Sequence, residues 1–145
     1  MARTSADWPA NWVRVLPQVS LMQDARDELE VRTKRFAISA IRLTKQLSHT
    51  AEARDALRQL ARSASSVGAN HRAMRRARSF REFAAKLQVV YEEADEVCYW
   101  LEIVREILPD RSESAEALHI EGREIRAIFA KARATTRRRL AEAAQ

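Results

Sequence analysis

From Phe80 to Leu108, apolar residues recur every three or four positions: Phe80, Phe83, Leu87, Val90, Ala94, Val97, Leu101, Val104 and Leu108. The repeat of seven keeps one face of a helix apolar, and at about 1.5 Å per residue it predicts an unbroken helix roughly 40 Å long. Such a seam needs partner helices of similar length. The chain supplies them. From about Arg26 to Leu47, Phe36, Ala40, Leu43 and Leu47 form one stripe, while Val31, Ile38 and Ile41 lie well round the cylinder. A helix with two apolar sides touches two things: its own bundle, and either the preceding segment or another subunit. From about Ala51 to Arg76, Leu57, Leu60, Ala64, Val67, His71 and Met74 keep the same period. After Pro109, a helix starting at Asp110 or Ser112 repeats it in Ala115, Leu118, Gly122, Ile125, Phe129 and Ala132.

Local signals agree with these boundaries. Thr50 can cap the second helix. Ser79 and Glu82 have capping-box spacing at the start of the third, and Pro109 stops it. Four helices with short connections predict an all-α, up-down-up-down four-helix bundle over residues 26–140. Residues 141–145 are expected to fray. Residues 1–25 read as an irregular arm, because Pro9 and Pro17 oppose a long helix. Trp8 and Trp12 make a purely solvated tail unfavourable, so the arm should pack on its own bundle or, slightly favoured, on a neighbouring subunit.

Composition supports this reading. Glycine and proline are scarce, at 2 and 3, too few for a turn-rich β architecture. Charge adds something new. The formal net charge is +6 and the pI about 10.2, which favours polyanionic partners, nucleic acid before membrane. Cys98, alone in the sequence, permits no intramolecular disulfide and no cysteine-based zinc cluster. No signal-like or membrane-spanning stretch is evident, which predicts a cytoplasmic protein.

The residues offer little catalytic chemistry. Glu116 and His119 have the Glu-x-x-His spacing of di-iron bundles, but those sites need a second copy of the motif, and His49 and His71 lack the glutamate. His71 falls on the apolar seam and reads as a core histidine, and Cys98 as an inert core thiol. Glu92, Glu93, Asp95 and Glu96 read as ionic partners for Arg62 and Arg72 of the second helix, rather than as a metal or acid/base site. No catalytic residue, metal or cofactor is expected. The strongest local signal is basic. Arg72, Arg75, Arg76, Arg78 and Arg81 crowd the corner between the second and third helices, and Arg133, Arg137, Arg138 and Arg139 end the fourth. The second and fourth helices run parallel, so both clusters should lie at one end of the bundle, where guanidinium forks suit phosphate oxygens.

The stretch from Arg62 to Val104 resembles the bacterial four-helix bundle protein family. That family includes proteins encoded within intervening sequences of 23S ribosomal RNA genes, and the accessory variability determinant of diversity-generating retroelements. The resemblance lies in the small-residue run ending at Ala69-Asn70, the arginine-rich corner to Ser79, Glu92-Glu93-Ala94-Asp95-Glu96, and Tyr99-Trp100-Leu101-Glu102. With the helical pattern it spans about Glu28 to Ala134. It implies a homopentameric barrel with a basic central channel and, in the retroelement branch, binding to a reverse transcriptase and to nucleic acid. Together with the charge, it suggests a non-enzymatic accessory protein that binds RNA or DNA. The alternative is a protein-only scaffold whose arginine corner meets an acidic protein.

Overall fold

The structure, a computed structural model, describes residues 19–47 and 50–144. They form four long helices: α1 (Val19–Leu47), α2 (Ala51–Met74), α3 (Phe80–Ile107) and α4 (Ser112–Ala143). A 3-10 turn, Pro109–Arg111, joins the last two. Most of the Trp-bearing arm lies outside the described residues.

Helix ends differ from the sequence expectation in three places. α1 begins at Val19, about two turns before Arg26. No proline or glycine follows Pro17 there, and Val19, Met22 and Leu29 continue the Phe36–Ala40–Leu43–Leu47 stripe in steps of seven, so the later start set from Pro9 and Pro17 is too cautious. α2 ends at Met74. Arg75 caps it, its N–H donating to the His71 carbonyl at 3.1 Å, so Arg76 falls in the turn rather than the helix. α4 continues past Leu140 to Ala143, with Arg138 facing Glu142 one turn on at 3.9 Å; residues 141–143 are therefore helical rather than frayed.

The starts of α2 and α3 follow the capping signals. Thr50 Oγ1 accepts the Ala53 N–H and Ser79 Oγ the Glu82 N–H, both at 3.1 Å. The Glu82 carboxylate turns back to the Arg78 N–H at 2.8 Å, and this bond holds its carboxyl below the usual carboxylate range.

The heptad seams meet in a single core. Leu57, Leu60, Val67, Val90, Val97, Leu101, Val104, Ile125 and Phe129 are fully or almost fully buried, and Phe83 and Leu108 at the ends of the α3 seam are partly so. Polar contacts fix the alignment of α3 with α4. Gln88 accepts from Arg133, Asp95 from Arg126 at 2.8 Å, and Glu102 faces His119 at 3.5 Å. Each step of seven along α3 is thus matched by a step of seven back along α4, which is the antiparallel packing of two seven-residue seams.

Gly68 marks a close approach of α1 and α2. A Cβ added there would meet the Thr33 carbonyl oxygen at 3.5 Å, an ordinary contact. Gly68→Ala is therefore expected to stabilise the fold by about 0.8–1.0 kcal/mol, the helix-propensity difference, seen as a raised urea midpoint. At Gly122 the same addition would press on the Phe36 ring edge at 3.3 Å and should gain less.

One side of the bundle is open. α1 packs closely on α2 but only sparsely on α4. Arg32 bridges the two, donating to Glu121 at 2.6 and 2.8 Å and also to Glu124. These bonds raise the arginine's pKa and lower that of Glu121. Beside the bridge runs a groove of about 1230 Å³. Val31 at the groove, Ile38 and Ile41 elsewhere on α1, and Ile120 and Ile128 of α4 are exposed to solvent.

Candidate nucleic-acid interface

The register of α4 against α3 decides where the basic clusters meet. Arg133 bonds Gln88, so Arg137 and Arg139 lie further toward the start of α3, level with Arg81 and the α2–α3 corner. The two arginine-rich stretches share one end of the bundle, as the parallel course of α2 and α4 requires.

At that end the nine arginines separate into groups. Arg75 is tied down: it donates to Asp27 at 2.5 Å and to Glu30, and its side chain is only 21% exposed. Arg133 is half-buried, bonded to Gln88 and stacked over the Tyr91 ring at 4.7 Å. Arg72 lies 3.9 Å from Glu30, Arg78 3.3 Å from Glu82 and Arg138 3.9 Å from Glu142; all three are largely in water, where such pairs hold a side chain weakly. Arg76, Arg81, Arg137 and Arg139 are exposed and have no ionic or hydrogen-bonded partner among the described residues. Periodicity did not reveal Asp27 and Glu30 as the neutralising acids. Their spacing of three near the start of α1, opposite the end of an antiparallel α2, is the signal that could have done so.

His71 lies just inside this end. It is 2% exposed, its ring 5.5 Å from that of Phe129, with no partner for Nδ1. Burial lowers its pKa below the ordinary 6.5, the charge of Arg75 lowers it further, and Glu30 opposes both. The unfolded chain therefore takes up the proton first. Stability is complete above about pH 6.5 and declines as pH falls from there toward the folded pKa. Urea melts at pH 7.5 and 5.5 are expected to show this decline, and the His71→Leu variant to lack that part of it.

The other sequence candidates take structural places. Glu116 pairs with Arg105 at 2.5 Å. Arg105 also donates to His119 Nδ1 at 3.1 Å, which leaves the imidazole proton on Nε2, facing Glu102. Among the described residues no group of His, Cys, Asp or Glu is placed to hold a metal ion. Of the α3 acids, Glu96 faces Arg62 at 4.0 Å and accepts from the Trp100 indole at 3.0 Å. Asp95 pairs with Arg126 of α4, and Arg72 turns to α1 instead of α3. Glu93 is partly buried with one oxygen unpartnered; burial, and then the charge of Glu96, raise its pKa. Burial likewise raises the pKa of the Cys98 thiol. No described helix is long and apolar enough to cross a membrane.

The 23S rRNA-intervening sequence protein model matches residues 28–131, well over half of the chain. The chain belongs to this family. A solved structure from Bacteroides thetaiotaomicron is similar to it. That protein, of unknown function and from the S23 ribosomal protein family, is 27% identical, with a TM-score of 0.64 over 72% of this chain and 97% of its own. No curated protein matches the chain significantly. For this intervening-sequence protein, the family match begins at Glu28 and ends at Lys131. The arm and the last arginines, Arg137 to Arg139, lie beyond it.

Proposed function

We propose that this intervening-sequence protein is a non-catalytic, self-associating accessory protein that binds RNA or DNA through the arginine end of its bundle. The observation that carries the reading is the gathering of Arg76, Arg81, Arg137 and Arg139 in solvent at one end, without acidic partners among the described residues, with Arg78 beside them. Guanidinium groups so placed can grip phosphate oxygens of a backbone while reading no base edge. Binding should therefore be salt-sensitive and without marked sequence preference. The apolar side chains exposed on α1 and α4 support self-association, for which the homopentamer is the arrangement we propose, with the basic ends brought together around an axis. Such a protein would act in the cytoplasm, with a reverse transcriptase as its proposed protein partner in a retroelement setting.

Filter binding of RNA and of duplex DNA across a salt series tests the reading. Retention that falls steeply with added salt is expected; no retention of either nucleic acid at low salt overturns it. The capture of Arg75 by Asp27 and Glu30 favours one second reading, a scaffold whose remaining arginines meet an acidic protein. That reading predicts a protein partner retained after nuclease treatment and no nucleic-acid binding.

A further inference from the structure

Two opposite corners of the bundle carry charge of opposite sign. Between Val31 and Leu47, α1 has Arg32, Lys34, Arg35, Arg42 and Lys45 and no acid. Lys34, Arg35, Arg42 and Lys45 are exposed, with no ionic or hydrogen-bonded partner among the described residues. At 100° per residue they share roughly the outer third of the helix with Val31 and Ile38, both exposed. α3 is the counterpart. Between Gln88 and Val104 it has Glu92, Glu93, Asp95, Glu96 and Glu102 and no base. Val89, Tyr99 and Ile107 are exposed along its outer side. Apolar side chains grouped in this way on a charged face mark a contact surface.

α1 and α3 each pack on α2 and α4, so they stand at opposite corners and their outer faces point apart. They run in the same direction, as alternate helices of an up-down bundle do. α2 fixes their levels. Its Arg75 bonds Glu30 of α1, and its Arg62 faces Glu96 of α3 at 4.0 Å. The step from Arg75 to Arg62 is matched on antiparallel α1 by the step from Glu30 to Leu43. Arg42 is thus level with Glu96, Lys45 with Tyr99, and Glu92 falls between the levels of Arg35 and Arg42. Two copies side by side, parallel and unshifted along their axes, therefore set the basic stretch of α1 against the acidic stretch of α3. The preceding turns agree. Asp27, Glu28 and Glu30 lead into the one, and Arg78, Arg81 and Lys86 into the other, with Glu82 taken by Arg78. A contact of α1 with α1, or of α3 with α3, opposes like charges instead. Tyr99 adds an aromatic face on which a cation of α1 can rest.

We propose that α1 of one copy docks on α3 of the next, Arg35, Arg42 and Lys45 facing Glu92, Glu96 and Glu102 around Val31, Ile38 and Tyr99. This pairing rests on the self-association proposed above and gives it its two faces. Unlike faces at opposite corners join head to tail, so the contact closes into a ring or runs on as a filament.

Sedimentation velocity on the full chain tests the pairing, with circular dichroism to check that helical content is kept. The unsubstituted chain is expected to sediment as an oligomer. Arg42→Glu with Lys45→Glu, at exposed and unpaired positions, should give monomers. So should Glu92→Lys with Glu102→Lys; Glu92 bonds only Gln88 among the described residues, and the Glu102 side chain is 60% exposed. All four substitutions in one chain should restore the oligomer, because the reversed faces are again complementary. An oligomer that survives either pair, or monomers that persist in the fourfold variant, overturns the pairing and leaves self-association standing on other faces. A monomeric unsubstituted chain overturns both, and leaves the α1 face to an acidic partner of another kind.

Discussion

Phe129→Ala is expected to destabilise the protein by about 3–5 kcal/mol, the usual cost of emptying a fully buried aromatic site. Phe129 is 1% exposed and lies against the His71 ring, where α4 crosses the core toward α2. Its removal leaves a cavity, and His71 is deprived of the ring that covers it. The four helices share one core, so no single helix can yield to fill the space without shifting the heptad seams. Urea denaturation checks this directly, as a lowered midpoint at unchanged slope. The neighbouring residue provides the control. Ile128 is 37% exposed, so Ile128→Ala should stay within about 0.5 kcal/mol in the monomeric bundle. A large destabilisation at Ile128 that grows with protein concentration would instead report a subunit contact on α4.

The second large effect concerns binding. Changing Arg76, Arg81, Arg137 and Arg139 together to alanine removes four of the cations behind a formal net charge of +6. All four are exposed and unpaired among the described residues, so the bundle should keep its stability. The log–log salt slope for duplex binding should flatten by about 0.9 for each phosphate that the variant no longer neutralises. Arg75→Ala should behave in the opposite way. Removing a guanidinium that is only 21% exposed leaves Asp27 and Glu30 facing each other without a cation, so the fold should weaken. The salt slope should not move, because Arg75 is already engaged. A four-arginine variant that binds with an unchanged slope would mean that phosphates are met elsewhere on the molecule.

The contrast between Arg75 and Arg81 marks what periodicity could and could not supply. Both belong to one basic run, and sequence places both at the same corner. Whether an arginine is available to a ligand depends on which acids lie across from it, and that depends on the offset between helices. The offset of α1 against α2 puts Asp27 and Glu30 beside the end of α2. Both acids lie within the helix expected from about Arg26, but an apolar period reports the buried face of a helix and not which charges of its neighbour lie across from it. The α3 acids show the same limit. Arg62 is found opposite Glu96 as the antiparallel course suggests, but Asp95 is taken by Arg126 of α4.

By itself, the sequence determined the four helices, their order, the residues of the core and the shared end of the two arginine stretches. Those follow from a seven-residue apolar repeat, from caps at Thr50 and Ser79, and from the simple rule that alternate helices run parallel. Only the tertiary structure decided which arginines are neutralised, that Glu116 and His119 bind Arg105, and that α1 and α4 stand apart around a groove. The physical reason is that burial along a seam is a property of one helix and is written in its own period. Pairing of charges and the width of a gap between helices depend on distances that no single helix encodes.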